Sequence, residues 1–408
     1  MRTAIDQIAV LADMQAMDPP FPSLEKARIA IVHYWFVNHR GGERVVEAIA
    51  AMFPHADLFS LVVDPDAIPK SLQGRSIRTS FVQKLPGSNR WHRHFLPLYP
   101  LALEQFDLSG YDLVISSESG PAKGVLTSSR TCHLCYCHSP MRYLWDFYHG
   151  YKNSAGVGRW SRPLFTVASH YLRLWDAASA DRVDYFVANS QNVAARIRKH
   201  YRRESAVVYP PVNVSAGYLA ENTEDFYLLV GQFVDYKRMD LAIAACNRLN
   251  RRLHVVGEGE QYARLRKLAG PSIRFCGFLS DENLHEEYAH CRALLFPGEE
   301  DFGIVPVEAQ SFGRPVIAYG RGGVTETVRG LRVQTQINPE NATGVFFEEQ
   351  SVDSLIKAIH AFEQVEHRFS PLFIKQQANR FAPEHFQHNF NSFLEQKWRA
   401  FHGGIVSL

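Results

Sequence analysis

The feature that most constrains this chain is an alternation, run twice, of short apolar stretches with segments of helical periodicity. In the first half, residues 29–36 form an apolar run. A loop holding Gly41 and Gly42 follows, then residues 43–53, where Val45, Val46, Ile49, Met52 and Phe53 recur at helical spacing. Residues 112–116, 132–137 and 185–188 read as further buried strands, and Ser190 is a good N-cap for a helix over 191–201. The second half keeps the rhythm, with strands at 226–230, 253–256, 273–276, 293–296 and 315–318. Helices over 239–249, 260–268, 282–291 and 304–312 fall between them. Such alternation calls for parallel sheets joined by crossover helices. The expected fold class is α/β, with two doubly wound parallel sheets facing each other across a cleft.

The best boundary is Tyr209-Pro210-Pro211-Val212-Asn213, where two prolines remove donors and stiffen a connection. It separates a domain over 28–210 from one over 211–382, after an extension, 1–27, that ends in Pro19-Pro20-Phe21-Pro22. Ligands of doubly wound sheets sit at the carboxyl ends of the strands, on helix N-termini that favour anions. A phosphorylated small molecule is the expected ligand.

Charge and composition exclude other classes. Forty-four Lys and Arg against 42 Asp and Glu leave a net charge of +2, so no whole-protein field recruits nucleic acid. No apolar run reaches the roughly 18–20 residues of a membrane span. The N-terminus lacks the layout of a signal peptide, and six Cys in 408 residues are too sparse for a disulfide framework, so a cytoplasmic protein is expected. One stretch stands out: residues 67–103 hold no acid but Lys70, Arg75, Arg78, Lys84, Arg90 and Arg93, mixed with Trp91, Phe95, Leu96 and Leu98. That mixture suits the surface of an anionic membrane, a lipid-diphosphate or an acidic glycan, and equally a solvated face.

The densest chemical signal runs from Glu299 to Glu308, after a strand and into a helix. Gly303 allows close backbone approach, and the free amides of the first helical turn can bind anionic oxygens. Glu300 in the loop and Glu308 in the helix can grip two hydroxyl pairs of one extended ligand, or can complement their own helix dipole. Lys237 and Arg238 open another helix, where two cations oppose the dipole; a diphosphate between them explains the placement, as does plain solvation. The glycine turns Gly41-Gly42 and Gly322-Gly323 follow strands. Cys132, Cys135 and Cys137 alternate across a strand and have no second pair to complete a zinc site, so no metal is expected.

Together these segments resemble retaining glycosyltransferase family four, whose hallmark is a pair of glutamates with seven residues between them ahead of a helix, as in Glu300 and Glu308. The likeness runs from about Arg28 to Arg399. His138-Ser139-Pro140-Met141-Arg142-Tyr143-Leu144-Trp145-Asp146 is most similar to the mannosyltransferase-like branch. The resemblance implies the GT-B architecture of two Rossmann-like domains, with a C-terminal helix, about 383–400, crossing back onto the first. It places Glu300 and the amides of Phe302, Gly303 and Ile304 on the donor sugar, Glu308 on the ribose, and Phe278 and Leu279 against the base. Lys237 and Arg238 would meet the diphosphate, with Gly41 and Gly42 closing over it. His138 would face the sugar, and Arg142, Tyr143 and Trp145 the acceptor or sugar side. Gln232, after Gly231, stands where the family usually has Arg.

The implied activity is transfer of a hexose, foremost mannose from GDP-mannose, with retention and without a metal or other cofactor. The implied acceptor is a glycan or polyprenyl-linked saccharide in polysaccharide biosynthesis, reached from the cytoplasm or the inner face of the membrane. A UDP-sugar donor, an epimerase or hydrolase of the same build, and a non-catalytic nucleotide-sugar binder are the alternatives.

Overall fold

Strand β1 (Ile29–Phe36) is buried at all but one of its positions, as expected of a strand covered on both faces. Its side chains alternate between two cores: Ile29 and Ile31 enter one, Ala30 and Val32 the other. The computed structural model describes residues 22–38, 41–153, 158, 161–332 and 338–406; most of the expected N-terminal extension lies outside these residues. The first domain continues through α1 (Gly41–Met52), β2 (Asp57–Val63), β3 (Ile77–Thr79), β4 (Leu113–Glu118), β5 (Cys132–Cys137), α2 (Arg162–Ser179), β6 (Tyr185–Ala188), α3 (Gln191–Tyr201) and β7 (Ser205–Val207). The second contains β8 (Tyr227–Val230), α4 (Met239–Leu249), β9 (Leu253–Val256), α5 (Tyr262–Leu268), β10 (Ile273–Gly277), α6 (Asp281–His290), β11 (Ala293–Phe296), α7 (Ile304–Ser311) and β12 (Val316–Tyr319). It closes with β13 (Gly330–Leu331), β14 (Gly344–Phe347), α8 (Val352–Val365) and α9 (Pro371–Ala378).

Each sheet has seven strands, in the orders β3-β2-β1-β4-β5-β6-β7 and β10-β9-β8-β11-β12-β14-β13. Among the described residues every strand pairing is parallel, from β1 with β2 and β4 to β12 with β14. The strand order reverses between β1 and β4 and again between β8 and β11. Such switch points open a crevice at the strand carboxyl ends; there Glu118 ends β4, Gly231 and Glu300 lie in the loops after β8 and β11, and Gly41 starts the helix that follows β1.

The last helix, α10 (Pro383–Val406), runs six residues beyond its expected end. Its Phe386, Phe390, Leu394 and Trp398 enter the core of the first domain, where the rings of Phe386 and Phe390 lie 5.8 and 6.2 Å from Tyr136. Two expectations need correction. Gly41 and Gly42 do not sit in a loop; they form the first turn of α1. The strands β2, β3, β7, β13 and β14 and the helices α2, α8 and α9 are absent from the sequence reading. The polar Ser60 interrupts β2, and β14 starts on Gly344. Helix α2 is inverted: it buries Ser169, Leu172, Asp176 and Ser179 and exposes Leu164, Val167, Tyr171 and Leu174.

Candidate active site

Helix α1 brings Arg44 across the cleft, where its Nη1 donates to Glu308 Oε1 at 2.8 Å; the Tyr288 hydroxyl donates to Oε2 at 3.0 Å. Glu308 is thus held through Oε1 by the facing domain and through Oε2 by its own, beside a small cavity that Asn213, Asp281 and His285 also line. The glycines of α1 explain how the helix comes so close. A Cβ at Gly41 would collide with the Ile304 side chain, and one at Gly42 would lie 2.9 Å from Tyr34 Oη and 3.6 Å from His138 Nε2.

Glu300 Oε1 pairs with Lys237 Nζ at 2.9 Å. Burial works against the lysine charge, but Glu300 outweighs it and holds the pKa above the usual value, so the group stays cationic. Arg238 takes another course: it caps α4 at φ +50° and its guanidinium meets Asp240. The cation that joins the Glu300 loop instead comes from the first domain. Arg142 Nη2 reaches Asp301 Oδ1 at 2.7 Å, its Nη1 donates to the Glu299 carbonyl, and its plane lies 5.3 Å from the Phe147 and Tyr236 rings. Asp301 also accepts from Arg196 Nη1 at 2.5 Å, and its carbonyl accepts from Ser190 Oγ at 2.6 Å. The loop next to Glu300 is thus held by three side chains of the facing domain.

His138 follows β5, and its Nε2 lies 2.9 Å from Ser117 Oγ. The same hydroxyl is 3.2 Å from His33 Nδ1, and His33 Nε2 is 3.7 Å from the buried Glu43 carboxylate. Ser117 has one proton to give, so at least one of the two imidazoles donates to it. Burial, with His33 adding to it, pushes the His138 pKa down to about 3, against the pull of Glu43 and Asp301. The imidazole is neutral at physiological pH and works as a hydrogen-bonding group.

The other expected residues divide. Phe302 is buried against Tyr209 and Phe381 and leaves only its backbone for the site, with Gly303 at φ +93° opening α7. Phe278 is 81% exposed beside the turn at Gly277, and Leu279 packs on the core of the second domain. The Tyr143 hydroxyl turns to Met141 Sδ at 2.9 Å. Trp145 donates to Asp176 at 2.7 Å, stacks on His200 and lines an open groove of about 360 Å³ with Asp146 and Arg173. Gly322-Gly323 packs on the Glu300 loop, since a Cβ at Gly323 would collide with the Asp301 carbonyl. Glu326, just beyond, accepts from the Gln191 and Asn192 amides at 2.7 and 3.0 Å and so caps α3 from the opposite domain. His254, Cys276 and Glu287 bring possible ligand atoms within 4.8 Å of one another, with His254 Nδ1 already bonded to Glu287 at 2.7 Å.

The sequence pattern of Glycosyltransferase Family 4 matches residues 39–216, and that of Glycosyl transferases group 1 matches 214–378. The chain belongs to glycosyltransferase family four. It is 23% identical over 237 residues to the O-antigen chain mannosyltransferase C of Escherichia coli, covering 53% of this chain. It is 26% identical over 274 residues to the alpha-1,3/1,6-mannosyltransferase ALG2 of Mus musculus, covering 57% of this chain. In each case the match spans 62% of the relative's length. Anabaena Alr3699/HepE in complex with UDP superposes with a TM-score of 0.61 at 15% identity, over 90% of this chain and 100% of that one. The fold is GT-B.

Within that fold, sequence reasoning passed over Arg44, Asp301, Ser117, His33 and Glu326. Each works through a partner far away in the chain; Arg44 and Glu308 are 264 residues apart. The acid-free stretch 67–103 also divides. Arg75 donates to the Ala50 and Ala56 carbonyls and Arg78 pairs with Asp57, while Trp91, Leu98 and Leu101 are exposed.

Proposed function

We propose that this family-four protein is a retaining transferase that moves a hexose, foremost mannose from GDP-mannose, to a glycan or lipid-linked saccharide. The observation that carries the reading is the placing of Glu300 with Lys237, and of Glu308 with Arg44, at one cleft that His138 also faces. The names of the mannosyltransferase relatives support the sugar. HepE, solved with UDP, supports the second reading, a UDP-sugar donor.

In this mechanism a diphosphate beside Lys237 competes with Glu300 for the ammonium and frees a carboxylate oxygen to accept from sugar hydroxyls. As the bond from the anomeric carbon to the phosphate oxygen breaks, negative charge grows on the leaving group. In this reading Lys237 and the first-turn amides of α7 stabilise it, and no metal is called for. The acceptor hydroxyl attacks from the same face and passes its proton to the departing phosphate. Neutral His138 orients the sugar by hydrogen bonding.

Calorimetry against GDP, UDP and ADP, followed by transfer assays with the best binder, tests the reading; no binding of any of them overturns it. Glu308→Ala should weaken nucleotide binding about 10–100-fold, the worth of hydrogen bonds to a charged acceptor. Ser117→Ala should lower kcat about tenfold with KM nearly unchanged, since it loosens His138 without touching the donor. Unchanged turnover in that variant would dismiss the His33–Ser117–His138 chain as a positioning device.

A further inference from the structure

Helix α2 has its polarity reversed. Its buried side carries Ser169, Asp176 and Ser179, while Leu164, Val167, Tyr171 and Leu174, spaced by three and four residues, form an exposed stripe; Leu164 is 73% and Val167 68% exposed. An apolar face this long on a water-facing helix marks a contact surface. The segment beside it adds to the face. Leu96 packs on the Leu172 cluster and Trp175 Nε1 donates to Glu104 at 3.0 Å, which ties residues 96–104 to the C-terminal half of α2, and Leu98 and Leu101 of that segment are exposed as well.

The charges around this face have one sign. Residues 90–103 and 161–175 hold Arg90, Arg93, Arg162 and Arg173 and no Asp or Glu, and the short helix packed on α2 adds Lys152. Glu104, at the edge, is engaged by Arg182 and Trp175. A second copy of the chain meeting this face about a two-fold axis would bring like charges together. An anionic bilayer meets cations and apolar side chains at once: the cations stay among the headgroups while the leucines enter the acyl boundary. We propose that α2, with the neighbouring 90–101 segment, is the element by which this protein docks on an anionic membrane. The anchor is thus α2, which the basic stretch alone does not reveal, and the inference stands whatever donor the cleft binds.

Flotation of the full chain with phosphatidylcholine vesicles, with and without phosphatidylglycerol, tests it. The wild type should float with the anionic vesicles at low salt and stay behind with the neutral ones. Leu164→Ser with Leu174→Ser, and separately Arg90→Glu with Arg93→Glu, should each weaken the partition by at least about tenfold. These surface changes should leave nucleotide binding, read by calorimetry, as in the wild type, so a failure here is separable from a failure of the donor site. A wild type that does not float, variants that float equally well, or a dimer in light scattering that the leucine variant dissolves would each overturn the proposal.

Discussion

Replacing Lys123 by methionine is expected to destabilise the first domain by about 3–5 kcal/mol, the usual cost of removing one partner from a buried ion cluster. The ammonium is wholly buried between two carboxylates. It bonds Asp176, lies 3.3 Å from Glu118 and sits 4.6 Å from the centre of the Tyr201 ring. Burial opposes its charge, yet Asp176 and Glu118 outweigh that and hold its pKa above the ordinary lysine value. Without it two buried acids face each other. Burial already pushes the Glu118 pKa up to about 7, with Asp176 adding to the rise and Lys123 holding it down. A carboxyl whose folded pKa exceeds its unfolded one stabilises the fold below the unfolded value and loses that contribution as pH rises through the folded value. Removing the lysine raises that folded value further, so the variant should be hurt most at alkaline pH and partly rescued near pH 5. Thermal melts at both values check this, with a fall of roughly 5–10 °C expected at the higher pH. An equal loss at both would mean that methionine fails for reasons of packing alone.

The same cluster shows what a sequence withholds. Asp176 accepts from Trp145 and Tyr201, so the buried face of α2 is polar, and the apolar periodicity its sequence does carry, through Leu164, Val167, Tyr171 and Leu174, marks the exposed face instead. Short buried runs such as β11, apolar throughout, and β5, with one His, and the well-capped α3, are legible because local chemistry alone decides them. The two glutamates could be recognised because one loop and one helix turn carry both. Their partners were hidden because only the closed pair of sheets brings Arg44 to Glu308 and Arg142 and Arg196 to Asp301. Arg238 shows the reverse case: its position beside Lys237 reads as a pair of cations for one anion, while the folded chain gives it to Asp240.

Lys237→Ala should lower turnover by 10²–10³, about 2.7–4 kcal/mol of lost stabilisation, because the charge it meets grows only as the bond to the leaving group breaks. The fall should lie in kcat more than in KM, since a group that acts chiefly in the transition state contributes little to ground-state binding. Stability should change far less, because Glu300 keeps 20% of its side chain in contact with solvent and need not be buried alone. Lys237→Arg should not restore the rate. The Lys237 Nζ packs over the bare backbone of Gly231, 3.0 Å from where a Cβ would stand, and the longer, planar guanidinium would carry its charge away from the point where Glu300 now holds it. Adding Gln232→Arg to the alanine variant separates charge from geometry. A partial return of kcat would mean that a cation anywhere near this loop suffices. No return would mean that the ammonium must sit where Glu300 now holds it, so that Glu300 places the catalytic charge as well as meeting the sugar.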